Sequence, residues 1–373
     1  SGTISAASGH FPHPPPSGNR IVPEPAPKVD AIVLSGTHQD KRKLIGGLNK
    51  AFLPMGRQVS LDYVLEALSL SRRVDRVFVV GPEEELRRRV PPGKWGHRIV
   101  PESGRMLDNA WKAFRAAEDL RPDLTSRECE DRLHLFLTSD IPLAVPEAID
   151  DFVERCSLRE AEIGERVDFF AGLADEVALA PFYPRPSRRG IRRPYMELKC
   201  QRLRLANIYL VRPRRIRNLE ILQQGFSTRK LTRWKSVARL AAAFVKNPGG
   251  IRGAWHVACF QAASVLERGR MSWLTALVRR SLPLPVVERT ASLMLGGRFA
   301  AVVTPYGGLS LDIDDETDYE VIRENYIAWR DHQHSLLPEG ALAPEAPETP
   351  ESAARGTGKP APSPPSPTSP GSN

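Results

Sequence analysis

A lysine and three aspartates, spread over most of the chain, stand where an α/β protein keeps its chemistry. Asp140 follows the apolar run Phe136-Leu137-Thr138-Ser139 and precedes Ile141-Pro142, which turns the chain away at once. Asp312 and Asp314 flank Ile313 at the end of the apolar stretch that starts at Leu309. On an extended strand these two would share one face. Lys50 closes a polar, basic, glycine-containing loop that opens at Ser35-Gly36, where the run Ala31-Ile32-Val33-Leu34 stops. Open α/β sheets bind phosphates in loops at the carboxyl ends of their strands. There Gly36 lets the backbone approach a phosphate, and Lys50 meets it as a point charge. A carboxylate at a strand end can hold Mg2+, a hard cation that takes oxygen ligands and substrate phosphates. One phosphate loop with a lysine and two strand-end carboxylates suits a metal-assisted reaction on a nucleotide. The plainer alternatives are a surface loop for 36–50, a turn residue before proline for Asp140, and helix capping for Asp314 to Asp318.

These residues need a scaffold, and the pattern supplies one. Strands are predicted at 31–34, 76–80, 97–100, 133–137, 167–172, 195–198, 205–211, 300–304 and 309–313. A second apolar piece at 51–56 reads as a further strand. Helices are predicted at 61–70, 83–89, through Asn109, Trp111 and Phe114, at 146–156 and at 319–330. Alternation of this kind predicts an α/β fold, a mainly parallel sheet in three layers with helices on both faces. Residues 213–297 read as a helical, basic subdomain inserted before the final strands, with helices at 234–246 and 255–266. The domain so defined spans 29–335, between a Pro-rich lead (1–28) and a Pro/Ser-rich tail (336–373), both too poor in apolar residues to fold.

The chain of 373 residues carries a formal charge of +9, which suggests an anionic partner without naming it. Between Arg185 and Arg252 there are nineteen Lys/Arg against Glu197 and Glu220. Leu231, Trp234, Val237 and Leu240 form an apolar stripe beside Arg233, Lys235 and Arg239. Such a helix packs its stripe on the core, lies on an anionic membrane or grips a phosphorylated acceptor. No helix-turn-helix or stacking motif accompanies the charge, which argues against nucleic acid. Cys129, Cys156, Cys200 and Cys259 form no CxxC pair and read as reduced thiols. No apolar run approaches the roughly 20 residues of a membrane span, and no signal-type apolar segment opens the chain, so a cytoplasmic location is expected.

The opening stretch resembles the start of the MobA-like NTP transferases, nucleotidyltransferases of the GT-A type. The turn is Leu34-Ser35-Gly36-Thr37, the loop lysine is Lys50, and Ala51 to Gly56 matches the segment after it. Val77-Phe78-Val79-Val80-Gly81, Thr138-Ser139-Asp140-Ile141-Pro142-Leu143 and Asp312-Ile313-Asp314 follow in the family's order. Thr37 replaces the family's second glycine, and Arg42-Lys43-Leu44-Ile45-Gly46 keeps its loop pattern loosely. The resemblance implies a nucleotide-diphospho-sugar transferase-like fold and Mg2+-dependent transfer of a nucleoside monophosphate from an NTP to a phosphorylated small acceptor, with pyrophosphate released. It assigns Leu34, Ser35, Gly36, Thr37 and Lys50 to the nucleotide phosphates, and Ser103, Gly104 and Asn109 to the border of base and ribose. Lys50 and Asp140 become catalytic. Asp140 with Asp314 or Asp312 becomes the metal site, the remaining acids capping the last helix. Asn207, in Ala206-Asn207-Ile208, falls beside the acceptor. Two other classes stay open: a GT-A-type glycosyltransferase, for which Asp312-Ile313-Asp314 has the Asp-x-Asp spacing, and a catalytically degenerate nucleotide- or membrane-binding protein.

Overall fold

β1 (Val29–Leu34) lies at the centre of the sheet and is buried on both faces. That is why it reads as a continuous apolar run and not as an alternation. The computed structural model describes residues 26–36, 44–218 and 283–336. After β1 come β2 (Pro54–Met55), β3 (Gln58–Val59), α1 (Ser60–Leu70), β4 (Val74–Gly81), α2 (Glu83–Arg89), α3 (Pro92–Trp95), β5 (Arg98–Pro101) and α4 (Met106–Glu118). The chain continues through α5 (Ser126–Asp131), β6 (His134–Thr138), α6 (Pro146–Ile163), β7 (Phe169–Asp175), α7 (Glu176–Leu179), β8 (Met196–Glu197) and β9 (Arg202–Val211). It closes with α8 (Leu284–Leu295), β10 (Phe299–Val303) and α9 (Glu316–Ser335).

The main sheet runs β10-β7-β9-β6-β1-β4-β5, with β8 beside β9. β1 pairs in parallel with β4 and β6, β4 with β5, and β7 with β10. β9 runs antiparallel to β6, β7 and β8. Parallel neighbours need crossovers, and the helices provide them on both sides. Ala31 and Val33 pack with α1 (Leu61, Val64, Leu65) and α6 (Ile149, Phe152). Ile32 faces the other way, onto Ala113, Phe114 and Ala117 of α4, and Leu295 of α8 covers β7 and β9 on that same side through Phe169 and Tyr209. The architecture is the three-layer, mainly parallel α/β fold expected.

Of the predicted strands, 51–56 is reduced to its last part and 309–313 is absent. Residues 51–56 begin instead with a 3₁₀ turn, Lys50–Phe52, followed by the β2–β3 hairpin. Asn49 caps this turn by accepting the Ala51 N–H, so the apolar side chains Ala51 and Phe52 enter the core from a turn. Residues 309–313 likewise form no ladder; Gly307–Ser310 is a 3₁₀ turn. The two glycines of this turn allow a close approach that no other residue would. A side chain at Gly307 would meet the Ala178 carbonyl oxygen at 2.1 Å, and one at Gly308 the Gln333 amide at 2.5 Å. Held this close, the chain turns, and Leu309, Leu311 and Ile313 are buried without strand pairing.

Ala26, just before the first strand, is already buried, and its carbonyl accepts from Arg73. Residues 1–25 of the Pro-rich lead, the tail from 337, and residues 219–282 lie outside the described residues. The predicted helices at 234–246 and 255–266, and with them most of the inserted subdomain and its apolar stripe, therefore lie outside too. In the described part of the basic stretch the arginines are matched to acids: Arg189 to Glu320 and Glu324, Arg202 to Glu176 and Glu197, Arg212 to Glu160, Arg214 to Glu118, Arg215 to Asp131 and Asp168. Among the described residues no helix is long and apolar enough to cross a membrane.

Candidate active site

The loop that follows β1 is anchored at both ends. Ser35, just past β1, donates its N–H to Val80 of β4, and Gly81 lies so close that a side chain there would meet the Ser35 carbonyl at 2.7 Å. Thr37, together with Lys41, Arg42 and Lys43, lies outside the described residues. The loop returns as a tight hairpin in which Ile45 and Leu48 exchange backbone hydrogen bonds across Gly46 and Gly47. Both glycines have positive φ, 54° and 76°, as a two-residue hairpin turn of this hand requires. Ile45 buries itself among Leu53, Leu311 and Ile313, so the loop and the acidic segment share one small core.

Asn49 joins the two ends of the loop. Its Nδ2 donates to the carbonyls of Ser35 (3.2 Å) and Gly36 (3.5 Å) while its Oδ1 caps the turn that carries Lys50. The sequence reading passed over Asn49; an Asn before a short apolar turn was the available signal.

Lys50, Asp140 and Asp314 converge. Lys50 Nζ lies 4.0 Å from Asp140 Oδ2 and 3.8 Å from Asp314 Oδ1. Asp140 follows β6, next to β1, and its carbonyl accepts the Ile313 N–H at 3.0 Å. That single backbone bond does locally what the expected strand would have done. Asp312 and Asp314 therefore share no strand face. Asp312 pairs with Arg204 Nη2 at 3.4 Å, and Asp314 pairs with Lys50 and with Arg193 Nη1 at 3.4 Å. Asp315 caps α9 through the Asp318 N–H, and Asp318 accepts the Asp314 N–H.

Burial, the charge of Asp312 and, less strongly, that of Asp314 push the Asp140 carboxyl up to about 6, against the pull of Lys50. Its Oδ1 is buried and makes no hydrogen bond of full geometry among the described residues, although the Thr138 hydroxyl lies near enough to hold the carboxyl down somewhat. A carboxylate oxygen so placed, facing like charge, is the environment a bound cation relieves. Among the described residues no three His, Cys, Asp or Glu side chains gather as a metal cluster. One or two carboxylates of this kind would suit a hard cation such as Mg2+ that takes water and substrate phosphate as its other ligands.

The remaining candidates sit along the same edge. Asn109, in the first turn of α4, accepts the Ser103 N–H at 2.6 Å, and a side chain at Gly36 would meet its Nδ2 at 3.2 Å and Glu102 Oε2 at 3.3 Å. Ser103, Asn109 and the end of β1 are therefore in one neighbourhood, with Gly104 adjacent at φ 114°. Glu102 was not singled out by the sequence reading. On β9, Ile208 pairs with Leu137 of β6, which sets Asn207 beside Thr138 at the mouth end of that strand. Asn207 is 3% exposed, and neither its Nδ2 nor Thr138 Oγ1 makes a hydrogen bond of full geometry among the described residues. The arrangement gathers cationic, anionic and neutral polar groups at the carboxyl ends of β1, β4 and β6, where such folds bind ligands.

No family model and no curated protein matches the chain. Among solved structures, a hypothetical transferase from Thermus thermophilus is similar at 21% identity and a TM-score of 0.52, over 78% of this chain and 99% of that one. This likeness shows the fold. Looser similarity, each at 12% identity and a TM-score of 0.39, links the chain to two further structures. One is a CMP:2-keto-3-deoxy-manno-octonic acid synthetase complexed with CTP, matched over 81% of this chain and 99% of that one. The other is a nucleotidyl transferase from Methanothermobacter, matched over 81% of this chain and 98% of that one.

Proposed function

We propose that the protein is a nucleotidyltransferase of the MobA-like kind, moving a nucleoside monophosphate from an NTP to a phosphorylated small molecule with release of pyrophosphate. The observation that carries this reading is the approach of Lys50 to both Asp140 and Asp314 at the end of the phosphate loop. An oxygen of the acceptor phosphate attacks the α-phosphorus, a new P–O bond forms, and the α–β bridging bond breaks to free pyrophosphate. The attacking phosphate is ionised at neutral pH, so no general base is required. Catalysis then rests on position and charge stabilisation.

In this reading Leu34 to Thr37 present backbone to the triphosphate and Lys50 balances its charge. Ser103, Gly104 and Asn109 border the base and ribose, and Asn207 faces the acceptor. Asp140 and Asp314 would hold Mg2+, and the charge of Asp312 adds to the negative field at Asp140. When bound, Mg2+ supplies Lewis-acid neutralisation of the α-phosphate oxygens. A cytoplasmic enzyme acting on dissolved substrates fits this chemistry.

The test is a panel: purified protein, Mg2+, each NTP in turn and a set of sugar and polyol phosphates, read by pyrophosphate release. Release with at least one pair, lost in Asp140→Ala, supports the proposal. No release from any pair, with Asp140→Ala binding nucleotide as wild type does, removes it.

A further inference from the structure

The segment that carries Asp314 has no strand pairing to fix it, yet it must hold a carboxylate still beside Asp140. Two arginines from elsewhere in the chain do this. Arg204 of β9 donates Nε to the Ser310 carbonyl at 3.0 Å and pairs with Asp312 at 3.4 Å. Arg193 does more. Its Nη2 donates to the Asp312 carbonyl (2.5 Å) and to Asp318 Oδ2 (2.6 Å), and its Nη1 lies 3.4 Å from Asp314 Oδ2. Asp318 Oδ2 in turn accepts the Asp314 N–H at 3.1 Å. One guanidinium therefore grips the segment by a main-chain oxygen before Asp314, by its carboxylate, and by the acid that holds its N–H.

Arg193 is itself held in place. Its side chain is 11% exposed. The loop before it is packed so tightly that a side chain at Gly190 would meet the Tyr183 backbone at 2.3 Å, and Ile191 donates its N–H to Phe182 and joins the same small core as Ile313. The planar fork matters: two separated nitrogens reach Asp314 on one side and the Asp312 carbonyl with Asp318 on the other, whereas an ammonium offers a single point.

We propose, resting on the nucleotidyltransferase reading, that Arg193 is the positioning residue of the metal site. It orients Asp314 toward Lys50 and Asp140, while Arg204 engages the neighbouring Asp312. Arg193 does not touch substrate; it acts through Asp314. Groups of this kind behind a metal ligand set metal affinity, and their loss typically costs about 10- to 100-fold.

The experiment uses the full chain, Arg193→Lys and Arg193→Met, with Mn2+ alone as probe, titrated by electron paramagnetic resonance. Metal-free NTP binding and the unfolding midpoint are measured in parallel. Arg193→Lys is expected to weaken Mn2+ binding by about tenfold or more, with metal-free NTP affinity unchanged. Arg193→Met weakens it further. If Arg193→Met does not fold, Arg193→Lys alone decides, since it keeps the charge and loses only the fork. Unchanged Mn2+ affinity in a folded Arg193→Lys, whatever its melting shift, overturns the proposal and leaves the transferase reading standing. A wild-type chain that binds no Mn2+ with or without nucleotide overturns both.

Discussion

Lys50→Met would separate the ion pairing of Lys50 from the triphosphate contact proposed for it. In the wild type its ammonium is the counter-ion of two carboxylates, at 4.0 Å and 3.8 Å. Each such contact is worth up to about 4 kcal/mol at an effective dielectric of about 20, before desolvation is subtracted. Methionine keeps the apolar stem and removes the charge, so Asp140 and Asp314 are left facing each other. The variant should therefore unfold more readily without metal, by about 1–3 kcal/mol once the partial exposure of the pair is allowed for. A divalent cation no longer competes with an ammonium for these carboxylates. Mg2+ should then bind Lys50→Met more tightly than wild type while NTP binds more weakly. A tenfold gain in Mg2+ affinity adds about 1.4 kcal/mol at saturating metal, or roughly 3–5 °C in the midpoint for a domain of this size. The assay is thermal unfolding of both proteins with and without Mg2+. Equal Mg2+-induced shifts in the two would refute the reasoning, because they would place the cation away from Lys50.

Asn49→Ala should leave the fold intact and loosen the loop it ties to Ser35 and Gly36. NTP affinity should fall by about 5- to 30-fold, as for losing about 1–2 kcal/mol of hydrogen bonding and capping, measured by calorimetric titration. Acid stability should be governed by two buried groups at the far end of the central strands. Burial lowers His134 to about 4, against the pull of Asp30. The folded state therefore stays neutral while the unfolded chain protonates below pH 6.5, and about 3 kcal/mol is lost between pH 6.5 and 4. For Asp30 burial works upward, but hydrogen bonds from Arg76 and Arg121 outweigh it and hold it near 2. Its contribution of about 2 kcal/mol is present above the usual carboxylate range and is lost as pH falls toward 2. His134→Leu should flatten urea midpoints between pH 6.5 and 4 relative to wild type. The contribution of Asp140, opposite in sign, is common to both proteins. A slope identical to wild type would show that His134 is not the group titrating.

What could be read from the sequence follows the physics of each segment. β1 announced itself because a central parallel strand is apolar on both faces, and Asp140 was visible because a proline follows it so closely. The stretch from Leu309 to Ile313 misled for a definable reason: its alternating apolar residues are buried, as they would be in a strand, but around a turn that glycines 307 and 308 permit. Lys50 stands out in the sequence and Asn49 does not, because the effect of Asn49 depends on two carbonyls 13 and 14 residues back. Arg193 and Arg204 looked like members of a charge run. Their role rests on pairings across more than one hundred residues, and composition reports charge without its partner. The basic stretch from Arg185 to Arg252 reads as a face for a membrane or an acceptor or as part of a helix packed on the core. In its described part, up to residue 218, most of the arginines pair with internal acids.

The most direct test of the central claim is a crystal structure of the protein with Mn2+ and a non-hydrolysable NTP, with the metal located by its anomalous scattering. The account predicts a manganese peak between the Asp140 and Asp314 carboxylates and the triphosphate against Lys50 and the Ser35-Gly36 turn. A metal or triphosphate bound elsewhere, with these side chains left as they are now, would contradict it.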